Sequence, residues 1–301
     1  MSFSTSRSAK AFIPGATLVL TGLMLGGTTA QAQISTPQPS PKSTLTQRVG
    51  LTDVTITYSR PSLRGRLGFG DVGNKSVVAY GQRWRTGANA TTSIKFADDI
   101  MVEGQKVAAG EYGLYTIPGK AEWTIVLNKS TKMGANVDGF KDDENVASFK
   151  VKPIKLNDKV GIFTIDLSDF TPATTNVVMM WDQTAVKFKL TADVDSKVMA
   201  QINEKVINNA SPTSGDLAAA AVYYFDNDRD MKQALAWIQK ANATDPKFWN
   251  VHTEAKIRMK MKDYKGAMAS AEQSKKLATE AKNMDYVKMN DELMMDAKKA
   301  K

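Results

Sequence analysis

The sequence contains no cysteine and only one histidine, His252. Without cysteine, the protein cannot form disulfides, use a thiol nucleophile, or bind iron–sulfur clusters or zinc through thiolates. A single histidine excludes metal sites that need several histidines, and a serine–histidine–aspartate triad would have to be built on His252. With 42% hydrophobic and 24% charged residues, the composition is that of a folded globular protein.

Beyond residue 32, the sequence has no further apolar run long enough to span a membrane. Residues 1–32 have the order of a secretory signal peptide: Arg7 and Lys10 precede an apolar run over 11–27, and the run is followed by Ala-Gln-Ala at 30–32. A proline and four glycines interrupt the apolar run, which favours cleavage over a membrane anchor. We therefore expect an exported protein, periplasmic or extracellular, that starts at Gln33.

The net charge is +9 and the isoelectric point is about 9.4, but no long basic run accounts for this charge. An exported protein also rarely meets nucleic acid, so no nucleic-acid partner is expected. The positive balance indicates a mild preference for anionic surfaces or ligands, and an ordinary solvated face is the alternative.

A Pro/Ser-rich linker is predicted at 33–44. The glycine content divides the chain that follows this linker into two regions. Residues 45–195 hold 14 of the 20 glycines, whereas residues 196–301 hold two glycines and nine of the 15 methionines. Since glycine interrupts helices, this shift predicts a domain boundary near residue 195.

Apolar residues alternate with polar ones across 45–195, as in Val54-Thr55-Ile56-Thr57-Tyr58 and in Trp123, Ile125 and Leu127. This period of two is typical of half-buried strands. Turn residues between the rows predict hairpins over 94–108 and 111–128. Eight or nine short strands would form an antiparallel β-sandwich, with a barrel as the alternative.

The region 196–301 has helical spacing and an internal repeat. Asp-Met-Lys-Gln-Ala-Leu-Ala at 230–236 recurs as Asp-Tyr-Lys-Gly-Ala-Met-Ala at 263–269, an offset of 33. This resembles the opening of the second helix in a tetratricopeptide repeat, over about 216–281. An unrelated helical hairpin packed on the β domain is the rival interpretation. A final amphipathic helix is predicted from Tyr286, Met289 and Leu293.

Arginine is concentrated between residues 58 and 96, where aromatic residues accompany it. Arginine rather than lysine suggests planar, bidentate or stacked contacts. The stretch is either a site for an anionic or sugar-like ligand or a set of arginines that brace loops. If the backbone around Trp84 is extended, the indole lies in the core and its two neighbouring arginines share the opposite face. The candidate ligand-binding residues are Arg60, Arg64, Arg66, Arg83, Arg85 and Asn89.

The same stretch carries a family resemblance. Tyr-Ser-Arg-Pro-Ser-Leu-Arg-Gly-Arg at 58–66, Tyr-Gly-Gln-Arg-Trp-Arg-Thr-Gly-Ala-Asn at 80–89 and Ala-Gly-Glu-Tyr-Gly-Leu-Tyr-Thr-Ile-Pro at 109–118 resemble a secreted bacterial domain of unknown function, family 2911, common in Bacteroidetes-type bacteria. The resemblance runs from about 45 to 192. It implies an exported bacterial protein with a helical extension, and it supplies neither a reaction nor catalytic residues.

A calcium-loop opening occurs at 226–230, Asp-Asn-Asp-Arg-Asp, but its glycine position holds Met231 and its twelfth position holds Trp237. No metal, cofactor or catalytic residue is predicted. We expect a non-enzymatic binding protein of the bacterial envelope, with a ligand or surface recognised by the β domain and a protein partner held by 216–300. One alternative is a hydrolase that acts on sugars or phosphoesters through carboxylates; another is a purely structural rigid body.

Overall fold

The computed structural model describes residues 1–4 and 36–300. Met1–Gln38 and Pro39–Lys301 are separate compact units. The described residues of the first unit have no regular secondary structure, and most of the predicted signal peptide lies outside the described residues. No helix in the described part of the chain is both long and apolar enough to cross a membrane.

Strands come first along the second unit and helices follow. The strands are β1 (Lys42–Val49), β2 (Thr52–Ser59), β3 (Leu67–Gly70), β4 (Ser76–Ala79), β5 (Ser93–Phe96), β6 (Ile100–Val102), β7 (Gln105–Val107), β8 (Gly110–Ile117), β9 (Trp123–Asn128), β10 (Asn145–Val151), β11 (Ile154–Ser168) and β12 (Thr174–Ala192). The helices are α1 (Asp195–Ile202), α2 (Ser214–Asp226), α3 (Met231–Thr244), α4 (Phe248–Lys260), α5 (Tyr264–Glu280) and α6 (Met284–Ala300). The prediction of a β region followed by an α region is confirmed.

Two antiparallel sheets form most of the β region. One has the strand order β1-β2-β5-β8-β9-β10, and the other has the order β11-β12-β6-β7. Strands β3 and β4 form a small parallel pair. Both large sheets contribute side chains to one hydrophobic cluster, as Ile56 and Ile94 of the first and Phe188 and Leu190 of the second show. The predicted alternation is present in β2, whose Val54 and Ile56 are fully buried.

Strand pairing differs from the predictions at two places. Strand β1 begins at Lys42, inside the predicted linker 33–44, because it pairs with β2 along its whole length. The hairpin expected over 94–108 is shortened to β6 and β7, since β5 pairs with β2 and β8 in the other sheet. The hairpin expected over 111–128 is present as β8 and β9.

The repeated heptapeptide starts two helices, as predicted. Asp230 caps α3 by accepting hydrogen bonds from the backbone N–H groups of Lys232 and Gln233. Asp263 caps α5 in the same way through the N–H of Gly266. An aspartate at this position satisfies amide donors that the first helical turn leaves free, and its charge also interacts favourably with the helix dipole.

The last helix, α6, is present as predicted, and two of the three apolar residues that predicted it, Tyr286 and Leu293, are partly buried. Met289 is 40% exposed, whereas Asn290 and Ala297 are buried. Asn290 is drawn inward because its amide donates to Ser274 Oγ and to Tyr286 O, at 2.8 and 2.7 Å. Asn290 therefore joins α6 to α5 by a buried hydrogen bond to Ser274.

The β and α regions lie in one compact unit. Val194, just before α1, packs against the core of the β region. Lys197 of α1 forms an ion pair with Asp98 at 2.6 Å. Residue 195 is therefore where strands give way to helices, and the chain on its two sides remains in contact.

Candidate functional site

Two of the candidate arginines brace backbone in the β region. Arg60 donates from Nε to Phe163 O at 3.2 Å and from its terminal nitrogen to Thr164 Oγ1 at 2.8 Å. Arg66 donates to the carbonyl oxygens of Leu63 and Ser62, at 3.1 and 3.2 Å. Both guanidinium groups therefore use part of their donor capacity on neighbouring chain segments.

Arg83 is held by the loop between β9 and β10. Its guanidinium donates to Asp142 Oδ1 at 2.8 Å and lies over the ring of Phe140, 3.6 Å from the ring centre. A planar guanidinium can make both contacts at once, which an ammonium group does less well. Arg83 thus fixes this loop to the start of the segment that carries Trp84.

Arg85 differs from Arg83, because no carboxylate pairs with it among the described residues. Its Nε donates to Asn89 O at 3.0 Å, and partial burial lowers the pKa of the guanidinium. The amide of Asn89 in turn donates to Ser40 O and Ser59 Oγ. These contacts gather Arg85 and Asn89 at the end of β2, beside the backbone of Arg60.

Arg64 is exposed, and its side chain has no hydrogen-bond partner within the described chain. It lies in a turn whose two central residues, Arg64 and Gly65, have φ angles of 48° and 79°. Glycine adopts this left-handed conformation without strain. The candidate arginines are thus distributed over three places: the loop at 60–66, the contact with Asp142, and the end of β2.

Trp84 lies in the hydrophobic core of the β region. Its side chain is 7% exposed and stacks on Trp181, with ring centres 5.8 Å apart. Its edge contacts with Phe69 and Phe163 have centre distances of 5.9 and 5.0 Å. The indole N–H donates to Gly87 O at 3.0 Å. The expectation that Trp84 is a core residue is confirmed.

A groove on the helical region was not predicted from the sequence. It has a volume of about 550 Å³ and runs between α2 and the start of α4. Small residues of α2 form one wall, and Tyr223 and Trp249 contribute aromatic surface. Trp249 is 45% exposed, which is unusual for so large an apolar side chain. The available sequence signal was the tryptophan at the second position of α4.

A second groove adjoins the first where the β and α regions meet. Its volume is about 930 Å³, and Tyr223 and Asp226 line both grooves. Residues of β6, β7, the loop between β11 and β12, α1 and the end of α2 form its walls. We call it the junction groove. No part of the described chain contains three or more histidine or acidic residues placed to hold a metal ion.

His252 belongs to a buried polar network that joins α4, α5 and α6. Its Nδ1–H donates to Asn290 Oδ1 at 2.8 Å, because that oxygen can only accept. Ser274 Oγ accepts a hydrogen bond from the Asn290 amide and donates one to Phe248 O at 2.7 Å. Burial lowers the pKa of His252; the hydrogen bond to Asn290 opposes this effect, and the nearby charge of Lys256 adds to it.

The network predicts that acid weakens the helical region. The unfolded chain binds a proton at His252 at higher pH than the folded chain, so stability falls as pH drops below about 6.5 and on through the folded pKa. We expect the free energy of unfolding to fall more steeply between pH 7 and 5 in the wild type than in His252→Gln, as measured by urea titration. Equal pH slopes for the two proteins would contradict this assignment.

A comparison with protein families gives a match over the β region. Residues 40–190 match the family described as Protein of unknown function (DUF2911). No curated protein and no solved structure matches the chain. The match covers both large sheets almost to the end of β12, and the helices lie beyond it.

Proposed function

Because the chain belongs to this family of proteins of unknown function, which assigns it no reaction, we propose that it is a non-enzymatic binding protein of the bacterial envelope. Its helical region would hold an extended segment of a partner protein. Residues 1–32 would be removed on export, so the mature chain would begin at Gln33. The proposal depends chiefly on the groove between α2 and α4.

The finer architecture supports this function. We infer that the two sheets form a β-sandwich, since their side chains share one hydrophobic cluster. We also infer that α2–α3 and α4–α5 are two tetratricopeptide-like units. The identical capping role of Asp230 and Asp263, 33 residues apart, supports this inference. Stacked helix pairs of this kind create concave surfaces that suit extended partners.

The groove between α2 and α4 has the chemistry of a peptide site. Gly215, Ala218 and Ala219 have small side chains, so the backbone of a bound segment can approach α2 closely. Trp249 and Tyr223 offer large, stiff apolar faces with polar edges, a combination enriched at protein interfaces. This open aromatic groove is the observation on which the proposed function rests.

The hydrolase alternative finds no support in the acids of the junction groove. Catalysis by two carboxylates needs one whose pKa is raised, so that it can donate a proton. Here the Tyr223 hydroxyl and Arg229 lower the pKa of Asp195. The backbone N–H of Ala109 and the Lys106 ammonium lower the pKa of Asp99. Both shifts favour the ionised form.

Site-specific photo-crosslinking tests the function. A photoreactive benzoyl-phenylalanine in place of Ala219, an exposed position in the groove, is expected to form a protein adduct in the native envelope. Mass spectrometry should locate the adduct on one extended segment of the partner. The matched control places the same group at Lys240, which is exposed on α3 outside both grooves. Equal adducts at both positions, or none at Ala219, would contradict the proposal.

A further inference from the structure

The junction groove is the larger of the two grooves and combines apolar and acidic surface. Ile100 and Met101 of β6 lie on its β side, and Val194 and Val198 lie on its α1 side. Met101 is exposed, and both valines are only partly buried. A volume of about 930 Å³ is in the range of established ligand sites. The groove therefore has room for apolar side chains of a bound segment.

Two carboxylates of the junction groove have no basic partner among the described residues. Asp99 is paired with Lys106, and Asp195 is paired with Arg229. Asp193 accepts only the backbone N–H of Ser196, and Asp226 has no hydrogen bond or ion pair within the described chain. Asp226 is exposed at the place where the two grooves join. A segment that crosses from one groove into the other must pass this carboxylate.

We propose that the junction groove binds a basic, partly apolar stretch of an extended polypeptide, with lysine or arginine at Asp226 and Asp193 and apolar side chains against Val194, Val198 and Met101. This inference rests on the proposed function, because the same segment would continue into the groove between α2 and α4. It adds the chemical class of the partner, which the proposed function leaves open.

The proposed preference for a basic segment depends on the charges near the groove, although the whole chain has a net charge of +9. At physiological ionic strength, charges more than about 8 Å apart are largely screened, so a bound lysine responds mainly to the carboxylates beside it. Solvent-exposed ion pairs are individually weak. Two of them together are expected to favour a basic segment over a neutral one by about fivefold, while apolar contacts supply most of the affinity.

Fluorescence anisotropy with three labelled peptides tests this inference on the full-length protein. The peptides share one leucine and serine background and carry lysine, glutamine or glutamate at the same two positions. The lysine peptide is expected to bind about fivefold more tightly than the glutamine peptide, and the glutamate peptide more weakly still. Asp226→Asn and Asp193→Asn together should remove the preference for the lysine peptide over the glutamine peptide. Asp138→Asn, an exposed acid outside both grooves, should retain the preference.

The outcomes separate this inference from the proposed function. If the lysine and glutamine peptides compete for one site and bind with equal affinity, the basic preference is overturned and peptide binding stands. A preference that survives the double replacement would place the basic site elsewhere and would also overturn the inference. If none of the three peptides binds at any concentration tested, the result counts against both proposals.

Discussion

Replacing Trp84 with alanine is expected to lower the free energy of unfolding by about 3–5 kcal/mol, the usual cost of truncating a buried aromatic residue. The indole stacks on Trp181 with an angle of 13° between the rings, and it contacts Phe69 and Phe163 edge-on. Its removal also leaves Gly87 O without the indole N–H. Because these partners come from three strands, β3, β11 and β12, the resulting cavity cannot close by a movement of one loop. Denaturant titration followed by circular dichroism measures the loss.

Arg85→Lys is the matched control for this experiment. Arg85 is the next residue along the chain, but it has no carboxylate partner in the described structure, and its replacement is expected to cost less than about 1 kcal/mol. A small loss for Trp84→Ala would contradict the aromatic cluster. A large loss for Arg85→Lys would show that Arg85 braces the loop more strongly than its one hydrogen bond indicates.

Arg258→Met is expected to destabilise the helical region by about 3 kcal/mol, because it leaves a buried carboxylate without its cation. Arg258 donates to Glu254 Oε1 at 3.0 Å and to Asp263 Oδ2 at 2.6 Å. Glu254 is 9% exposed and also accepts from Asn242 and Ser270. The network therefore connects α3, α4 and α5. Methionine retains much of the side-chain volume, so the loss reports mainly on charge.

The control for Arg258→Met is Lys240→Met, which removes one positive charge from an exposed position on α3. It should change the free energy of unfolding by no more than about 0.5 kcal/mol. Thermal unfolding monitored at the helical circular dichroism band compares the two variants. Equal effects would mean that Glu254 is solvated without Arg258 and that the network does not hold the helices together.

Local patterns in the sequence determined the type and order of the secondary structure. The alternation of Val54, Ile56 and Tyr58 with threonines identifies an inward-facing strand because successive side chains point to opposite faces. The heptapeptides that begin at Asp230 and Asp263 identify helix starts because an aspartate there satisfies free amide groups. The motifs within 58–118 likewise sufficed to indicate the family that the match over 40–190 shows.

Only the tertiary structure decided what the arginines do and where the grooves lie. Arg60 meets Phe163, and Arg83 meets Asp142, across 103 and 59 positions of the chain. No local pattern specifies such a partner, because a guanidinium can donate to any carbonyl or carboxylate oxygen that the fold brings within reach. The same holds for Asp226, which gains its place between two grooves only after α1 and α2 pack beside β6. Periodicity reports which way a residue faces, whereas the contacts between distant segments decide what it faces.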